Sequence, residues 1–171
     1  MILKPTLSSG NVRSCIPVGI RIEPLAAHAE VLPLLQRWFE MEWPSYYGKD
    51  GPGNAQRDLQ VLANRGSLPM GLVAFCGDRL CGVAALKAES IASHRHLSPW
   101  AAAGLVKPSE RGRGIGTQLL AGLEREACRL GFQRLYCATN TAESLLHRRG
   151  WKLMELIVHE GVDLGIFCKE F

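Results

Sequence analysis

Long hydrophobic runs are missing from this sequence. No apolar stretch approaches the roughly 18–20 residues that a membrane-spanning helix needs, so no membrane association is predicted. Low-complexity segments and internal repeats are missing as well, which argues against repeat and disordered protein classes. The opening segment, MILKPTLSSGNVRS, lacks the apolar core and the small-residue cleavage site of a secretion signal. Residues 1–17 are therefore predicted to form a loose N-terminal tail.

The cysteines show neither of the two patterns that most often mark a metal site in a sequence. There are 6 of them, without C-x-x-C spacing and without a Cys/His cluster of zinc spacing. Most lie inside apolar segments, where a thiol behaves as a small hydrophobic side chain. The sequence therefore predicts reduced, buried thiols in a cytoplasmic protein, and no metal.

Positive charge is only in slight excess, and the formal net charge is +4. That value fits a small anionic ligand as well as it fits nucleic acid. The basic residues are dispersed and partly balanced by Glu110, Glu124 and Glu126, so no basic stripe with interleaved aromatics appears. Nucleic acid is therefore not an expected partner. The length of 171 residues, with 47% hydrophobic residues, fits one globular domain over residues 18–171.

Hydrophobic periodicity predicts a mixed α/β fold. Period-two or short apolar runs predict strands over residues 18–23, 71–76, 80–87, 100–106, 134–138, 152–159 and 163–169. Helical patterns cover residues 28–42, 55–64 and 142–149, and a further helix runs from the glycines near 114 to Gly131. The strand–helix–strand unit over 100–138 predicts a parallel strand pair. The Gly77-Asp78-Arg79 hairpin predicts antiparallel pairing beside it, and hence a mixed sheet.

The segment 106–116, VKPSERGRGIG, carries the strongest functional signal. Backbone N–H groups at the start of a helix lack intrahelical partners and, with the helix dipole, form an anion site. A phosphate approaches such groups closely only where no Cβ intervenes, which glycine at 112, 114 and 116 permits. Arg111 and Arg113 can add charge-assisted contacts, and Thr117 adds a hydroxyl. The composition therefore predicts a phosphate-bearing ligand.

Two better-known phosphate motifs do not match this segment. A nucleoside-triphosphate loop needs Lys after its last glycine, and none follows Gly116. The dinucleotide fingerprint needs a third glycine where this chain has Thr117. An ordinary glycine-rich turn with solvated arginines remains the alternative, although three alternate glycines cost backbone entropy that a plain turn does not need.

The segment instead resembles motif A of the GNAT-type N-acetyltransferases, V-x-P-x-x-R-G-x-G-[IVL]-G. The matching residues are Val106, Pro108, Arg111, Gly112, Gly114, Ile115 and Gly116. The resemblance implies a single-domain fold with a mixed six- to seven-stranded sheet and about four helices. It also implies that the loop holds the pyrophosphate of acetyl-coenzyme A.

The same resemblance implies how the rest of the cofactor lies. In the family, the strand before the glycine turn carries a bulge and splays from its parallel neighbour, and pantetheine bonds to the exposed backbone. Here that strand has the small residues 101–104, and Leu105 and Val106 are the predicted main-chain contacts. Small residues that pack beneath a helix are the alternative for 101–104. The asparagine that the family places before the next helix is displaced to Asn140, which is kept as a candidate cofactor contact.

One departure from the family concerns the acid of the reaction. The family pattern A-x-x-L-Y-x-x-x-G-[FY] is matched by Ala142, Leu145, Gly150 and Trp151, but Leu146 stands at the tyrosine that is proposed to protonate the leaving thiolate. His147 is rotated by about 100° and does not inherit the position. We therefore expect an enzyme that has no dedicated general acid on the helix predicted over residues 142–149. A catalytically silent domain that binds acyl-coenzyme A for sensing or assembly is the alternative.

The base and the acceptor are less well specified by the sequence. Glu89 and His96, in the polar segment before residue 100, are the candidate bases, with solvated surface groups as the alternative. The segment FEMEWPSYYGKDGPG supplies aromatic rings and carboxylates that suit a protonated amine, and its candidate acceptor contacts are Glu42, Trp43, Tyr46 and Asp50. The alternative is that Trp43 and one of the tyrosines are core side chains. A small-molecule amine or a peptide amino group is the predicted acceptor. The sequence leaves a homodimer open.

Overall fold

The computed structural model describes residues 19–171. Val18 and the predicted tail over 1–17 lie outside these residues. Seven strands lie within residues 19–171: β1 (Ile20–Pro24), β2 (Met70–Cys76), β3 (Arg79–Lys87), β4 (Trp100–Val106), β5 (Arg134–Thr139), β6 (Lys152–His159) and β7 (Val162–Glu170). The α-helices in the described part of the chain are α1 (Leu32–Glu42), α2 (Pro44–Tyr47), α3 (Ala55–Leu62), α4 (Ile115–Arg129) and α5 (Glu143–Arg148).

The strands form one sheet in the order β1-β2-β3-β4-β5-β7-β6. All neighbouring pairs are antiparallel except β4 and β5, which are joined through the crossover helix α4 and run parallel. The predicted mixed sheet is therefore confirmed. Its one parallel junction lies between an N-terminal half, β1–β4, and a C-terminal half, β5–β7.

Hydrophobic cores cover both faces of the N-terminal half of the sheet. On one face, α4 buries Ile115, Leu119 and Leu123 against side chains of β2 and β3. On the other face, α1 and α3 bury Leu35, Phe39 and Leu59 against the opposite side chains of the same strands. Since β2 and β3 are covered on both faces, they are almost entirely buried, which explains their continuous apolar sequence.

The structure differs from the predicted elements mainly around the first helix. The helical pattern over 28–42 begins with short 3₁₀ turns, and the regular helix starts at Leu32 with Pro33 in its first turn. The segment after it, predicted as loop, contains the four-residue helix α2. No helix among residues 19–171 has the length and apolar character needed to cross a bilayer.

Candidate active site

The cleft of the molecule opens where β4 and β5 separate. These parallel strands share a single ladder pair, Trp100 with Tyr136, supported by a bond from the Tyr136 amide to the Pro99 carbonyl at 3.0 Å. Beyond that pair, β4 continues to Val106 along β3, and β5 continues to Thr139 along β7. The edge of β4 that faces β5 is therefore left without ladder partners over its second half.

A β-bulge lies on β4 in this unpaired region. Val83 pairs with Leu105 and Ala85 pairs with Ala102, so two residues on β4 stand opposite one on β3. The bulge residue Ala103 has φ +49°, in the left-handed region that non-glycine residues rarely occupy. Gly104 beside it is exposed, and a Cβ added there would meet no atom within 4 Å. The strained backbone thus borders open space in the cleft.

The glycine turn follows β4 directly and starts α4. Gly112 and Gly114 have φ +76° and +81°, and Gly114 is the N-cap residue of the helix. Both lie in open space, where an added Cβ would touch nothing within 4 Å. The sequence therefore uses glycine here for backbone conformation and for access to the backbone.

The amides of this turn are free to bind an anion. Within residues 19–171, no N–H of residues 112–117 donates to a protein acceptor; the neighbouring Gln118 N–H is the first to bond, to the Gly114 carbonyl at 3.1 Å. Six consecutive donors at a helix N-terminus, exposed by two left-handed glycines, form the backbone geometry that binds phosphate groups.

The two arginines of the turn are held in different places. Arg111 donates through Nε to the Val106 carbonyl at 3.1 Å, and its Nη2 lies 3.7 Å from a carboxylate oxygen of Glu42 at the end of α1. Arg113 forms an ion pair with Glu110, whose other oxygen lies 3.0 Å from Nη1 of Arg79 on β3. Glu110 is only 4% exposed. Sequence reasoning missed this buried carboxylate because its second partner comes from the distant β2–β3 hairpin.

Helix α5 lies on the other side of the turn. Leu145 is the nearest side chain to Gly116, at 3.6 Å from the position of an added Cβ. Leu146 is 1% exposed within the main core, and His147 is exposed with its ring 5.3 Å from that of Phe167. Thr139, which stands where the family has asparagine, accepts the N–H groups of residues 141 and 142 at 3.1 Å, and Asn140 is exposed.

The candidate acceptor residues occupy the end of α1 and the α2 segment. Trp43 is partly buried and packs edge-on against Phe39 at 5.0 Å, as a core side chain does. Tyr46 is exposed and packs edge-on against Tyr47 at 4.7 Å. Asp50 is exposed in the following turn. An open depression of about 400 Å³ is lined by Glu40, Tyr47, Gly48 and Lys49, and Asp50 is not among its lining residues. Burial and a hydrogen bond to Asp58 raise the pKa of Tyr47, which therefore stays protonated.

The candidate bases lie in the loop that leads into β4. Glu89 is exposed and lies 3.8 Å from Nε of Arg95. His96 is exposed, with its ring 5.7 Å from that of His94, which binds Glu155 of β6 at 2.8 Å. Among the described residues, no hydrogen bond or ion pair links Glu89 or His96 to the β4 bulge.

Cys137, on β5 beside the cleft, does not have the character of a nucleophile. Burial raises the pKa of its thiol to about 12, so the thiol is protonated at neutral pH. Thiols react as nucleophiles in their thiolate form. A covalent step through Cys137 is therefore not supported.

Comparison with known proteins identifies the family of this arrangement. The family model described as the acetyltransferase (GNAT) family matches residues 31–151, which include the cleft, the turn and α5. The chain belongs to the GNAT acetyltransferase family. No curated protein sequence matches it. The family match extends over most of the chain and not only over the glycine turn. It therefore confirms the family that the sequence of the turn resembles.

Solved structures give the same fold at low sequence identity. An aminoglycoside 6'-N-acetyltransferase complexed with coenzyme A is similar with a TM-score of 0.71 and 14% identity, over 88% of this chain and 96% of that one. A GCN5-related N-acetyltransferase from Kribbella flavida has a TM-score of 0.68 and 18% identity, over 89% and 98%. YncA from Salmonella typhimurium, with its cofactor acetyl-CoA, has a TM-score of 0.62 and 19% identity, over 89% and 92%. At these identities the likeness establishes the GNAT fold alone.

Proposed function

We propose that this GNAT family member transfers the acetyl group of acetyl-coenzyme A to a primary amine of a small molecule or peptide in the cytoplasm. The observation that carries the proposal is the row of free amides at 112–117, which opens beside the unpaired edge of β4. A diphosphate and an extended amide-containing arm are the two chemical features that such a site suits.

The residues present fit coenzyme A. The diphosphate would bind the amides of 112–117, with Arg111, Arg113 and the Thr117 hydroxyl as further donors. The pantetheine amides would bond to the backbone at Leu105 and Val106, on the strand edge that has no ladder partner. Asn140, exposed at the end of β5, would contact the cofactor from the other side of the cleft.

Acetyl-coenzyme A supplies an activated acyl group, which a neutral amine attacks directly in a ternary complex. The fold contributes by holding the two substrates side by side, which lowers the entropic part of the barrier. The backbone of the bulge residues Ala103 and Gly104 borders open space, and an N–H group of this bulge would stabilise the negative charge that develops on the carbonyl oxygen.

Proton transfer does not depend on helix α5 in this proposal. Leu146 is buried and has no proton to donate, and the thiolate product takes its proton from water. Substituting His147→Ala should therefore leave kcat within about threefold of wild type, because His147 is not positioned by a hydrogen bond in the described structure. A loss of turnover with unchanged cofactor affinity would assign the acid to His147.

The amine must lose its proton before attack, because a lysine-like amine has a pKa of about 10.4. Glu89 and His96 are the proposed bases. Each is tested by the pH dependence of kcat/KM in its alanine variant, where removal of the true base abolishes the acidic limb of the profile. Unchanged profiles for both variants would leave desolvation of the amine as the means of its deprotonation.

The acceptor is proposed to bind against the carboxylates and rings of Glu42, Trp43, Tyr46 and Asp50. Glu42 also lies beside Arg111, so it connects the acceptor segment to the cofactor turn. Some structurally similar proteins are aminoglycoside acetyltransferases, and aminoglycosides therefore belong in the acceptor panel. Substituting Asp50→Asn should raise KM for a cationic acceptor without changing KM for acetyl-coenzyme A.

The deciding experiment combines cofactor titration with a thiol-release assay over polyamines, aminoglycosides, amino acids and short peptides. Acetyl-coenzyme A binding with amine-dependent thiol release supports the enzyme. Binding without release for any amine supports instead the silent acyl-coenzyme A-binding domain, which the buried Leu146 makes the second candidate. Absence of binding contradicts both.

A further inference from the structure

Two cysteines and one glutamate converge where the β2–β3 hairpin meets the glycine turn. Cys76 ends β2, Cys81 lies near the start of β3, and Glu110 precedes the turn. The two Sγ atoms and a Glu110 carboxylate oxygen all lie within 4.8 Å of one another. The three residues are 6%, 0% and 4% exposed. Within residues 19–171, this is the one group of three ligand-type side chains that converges in this way.

The backbone fixes this convergence. On β3, Cys81 is the extra residue of a bulge, since Phe75 pairs with Leu80 while Ala74 pairs with Gly82. Its side chain and that of Cys76 both face the main core, under α4. The Cys81 carbonyl accepts the Lys107 N–H at 2.9 Å, which ties the segment containing Glu110 to the hairpin. The three ligand atoms therefore come from two segments that are joined by a hydrogen bond.

The donor set suits a thiophilic divalent cation. Zinc binds thiolate sulfur at about 2.3 Å and carboxylate oxygen at about 2.0–2.2 Å, and its cysteine pairs are commonly separated by two to four residues. Cys76 and Cys81 are separated by four. Tetrahedral geometry places two sulfur ligands about 3.8 Å apart, so the observed spacing requires a shift of about 1 Å or less. A disulfide would use the two sulfurs alone and leave Glu110 paired only with its arginines, so the test below distinguishes it from a metal site.

The charges around the cluster are compatible with a cation. Glu110 pairs with Arg79 and Arg113, but a carboxylate has four acceptor positions and can bind a metal while it accepts hydrogen bonds. Binding of one Zn²⁺ releases the two thiol protons, so the net charge of the cluster does not change. The arginines would then act as hydrogen-bond partners of the ligating carboxylate.

We propose that Cys76, Cys81 and Glu110 form a zinc-binding site that joins the β2–β3 hairpin to the segment preceding the glycine turn. Three protein ligands leave a fourth position for water. The acetyl-transfer proposal gives these three buried residues no role. The zinc site can therefore be tested independently of that proposal.

The test uses the full chain under a non-chelating reductant, titrated with ZnCl₂ by calorimetry and with CoCl₂ by absorption spectroscopy. We expect one Zn²⁺ per chain and a thiolate-to-cobalt charge-transfer band. The Cys76→Ser/Cys81→Ser double variant should lose at least about 100-fold in affinity, and Glu110→Gln about 10–100-fold. Cys128→Ser is the matched control, because Cys128 is exposed on α4 and outside the cluster, and it should bind as wild type does.

A second measurement covers the case in which the double variant does not fold. In the wild-type chain, Zn²⁺ should slow alkylation of Cys76 and Cys81, mapped by peptide mass spectrometry, and leave that of Cys128 unchanged. Stoichiometric binding that survives in a folded double variant would overturn the proposal. So would a wild-type chain that binds neither metal at micromolar concentrations, or a Cys76–Cys81 disulfide recovered in place of bound metal.

Discussion

At the scale of single residues, left-handed glycines have different roles at the two ends of one helix. Gly114 caps the start of α4 at φ +81°, and Gly131 follows its end at φ +86°. Neither would place a Cβ within 4 Å of another atom. Both therefore satisfy the same conformational demand, but only Gly114 lies among the free amides of the turn. Substitutions at Gly114 and Gly131 can therefore distinguish the effect of backbone strain from an effect on ligand binding.

Substituting Gly114→Ala should weaken coenzyme A binding by at least about tenfold, which corresponds to about 1.4 kcal/mol. The added Cβ stands where the diphosphate would approach the amides, and the alanine strains the turn. Gly131→Ala should bind coenzyme A as wild type does. Both variants should lose about 1–2 kcal/mol in the free energy of unfolding, since each puts an L-residue in the left-handed region. Calorimetric titration and urea unfolding measure the two quantities. Equal affinities in the two variants would place the cofactor phosphates elsewhere.

At the scale of elements, a buried carboxylate attaches α5 to α4. Glu124, 8% exposed on α4, accepts the Trp151 Nε1–H at 2.8 Å and forms a bidentate ion pair with Arg149 at the end of α5. The Arg149 carbonyl in turn accepts Lys169 Nζ of β7 at 2.7 Å. The short helix that borders the glycine turn is thus held by polar contacts at its C-terminal end and by Leu146 in the core.

Substituting Glu124→Ala should lower the free energy of unfolding by about 2–3 kcal/mol, because it leaves the buried Trp151 N–H and the Arg149 guanidinium without their acceptor. Glu126→Ala on the same helix is the control. Its partner Arg129 is 52% exposed, and loss of such a surface pair should cost less than about 0.5 kcal/mol. Urea unfolding at neutral pH measures both. Similar losses in the two variants would show that Glu124 has no special role.

A histidine clamp joins β1 to the 3₁₀ turns after it and should make stability depend on pH. The hydrogen bond to Glu30, and then that to Glu23, raise the pKa of His28 above 6.5. Bonds from Arg21 and His28 lower the pKa of Glu23 below 4.5, and the bond from His28 does the same for Glu30. The stabilisation that follows from the raised pKa of His28 is fully present below pH 6.5 and is lost as the pH rises through the folded pKa. The stabilisation that follows from the lowered pKa values of the two glutamates is fully present above pH 4.5 and is lost as the pH falls.

The stability difference between wild type and His28→Gln should therefore be greatest between pH 4.5 and 6.5 and should shrink on both sides of this window. Chemical unfolding at a series of pH values measures it. His147→Gln is the control, because His147 has no carboxylate partner within the described residues. A difference for His28→Gln that stays constant from pH 5 to 9 would contradict the clamp.

At the scale of the whole molecule, local patterns predict most of the fold but not its long-range contacts. The bounds of β4 and β6 are confirmed, because each strand is a distinct apolar or β-capable run between turn signals. Helix α2 was missed because a four-residue helix between Pro44 and Gly48 has no periodicity to detect. The glycine turn is formed by residues that are adjacent in the sequence, so its motif could be predicted. The positive φ of Ala103 has no local signal, and the burial of Glu110 depends on the distant Arg79.

The sheet has two halves that share one ladder pair at the cleft, so a ligand that binds both sides of the cleft should stabilise the whole molecule. Coenzyme A at 100 times its Kd should add about 2.7 kcal/mol to the free energy of unfolding. For a chain of this size, that corresponds to a rise in Tm of about 5–10 °C. Thermal unfolding with increasing coenzyme A measures it.

Pantetheine is the matched ligand control for this prediction. It has the thiol arm of coenzyme A without the diphosphate, and since the glycine-turn amides are proposed to supply much of the binding energy, it should leave Tm unchanged at the same concentration. At the same coenzyme A concentration, the rise should fall to about half or less in Gly114→Ala, whose Kd is at least about tenfold higher, and should persist in full in Gly131→Ala, since only the first substitution alters the turn. A rise that pantetheine reproduces would mean that the arm, and not the diphosphate, is the part that the molecule recognises.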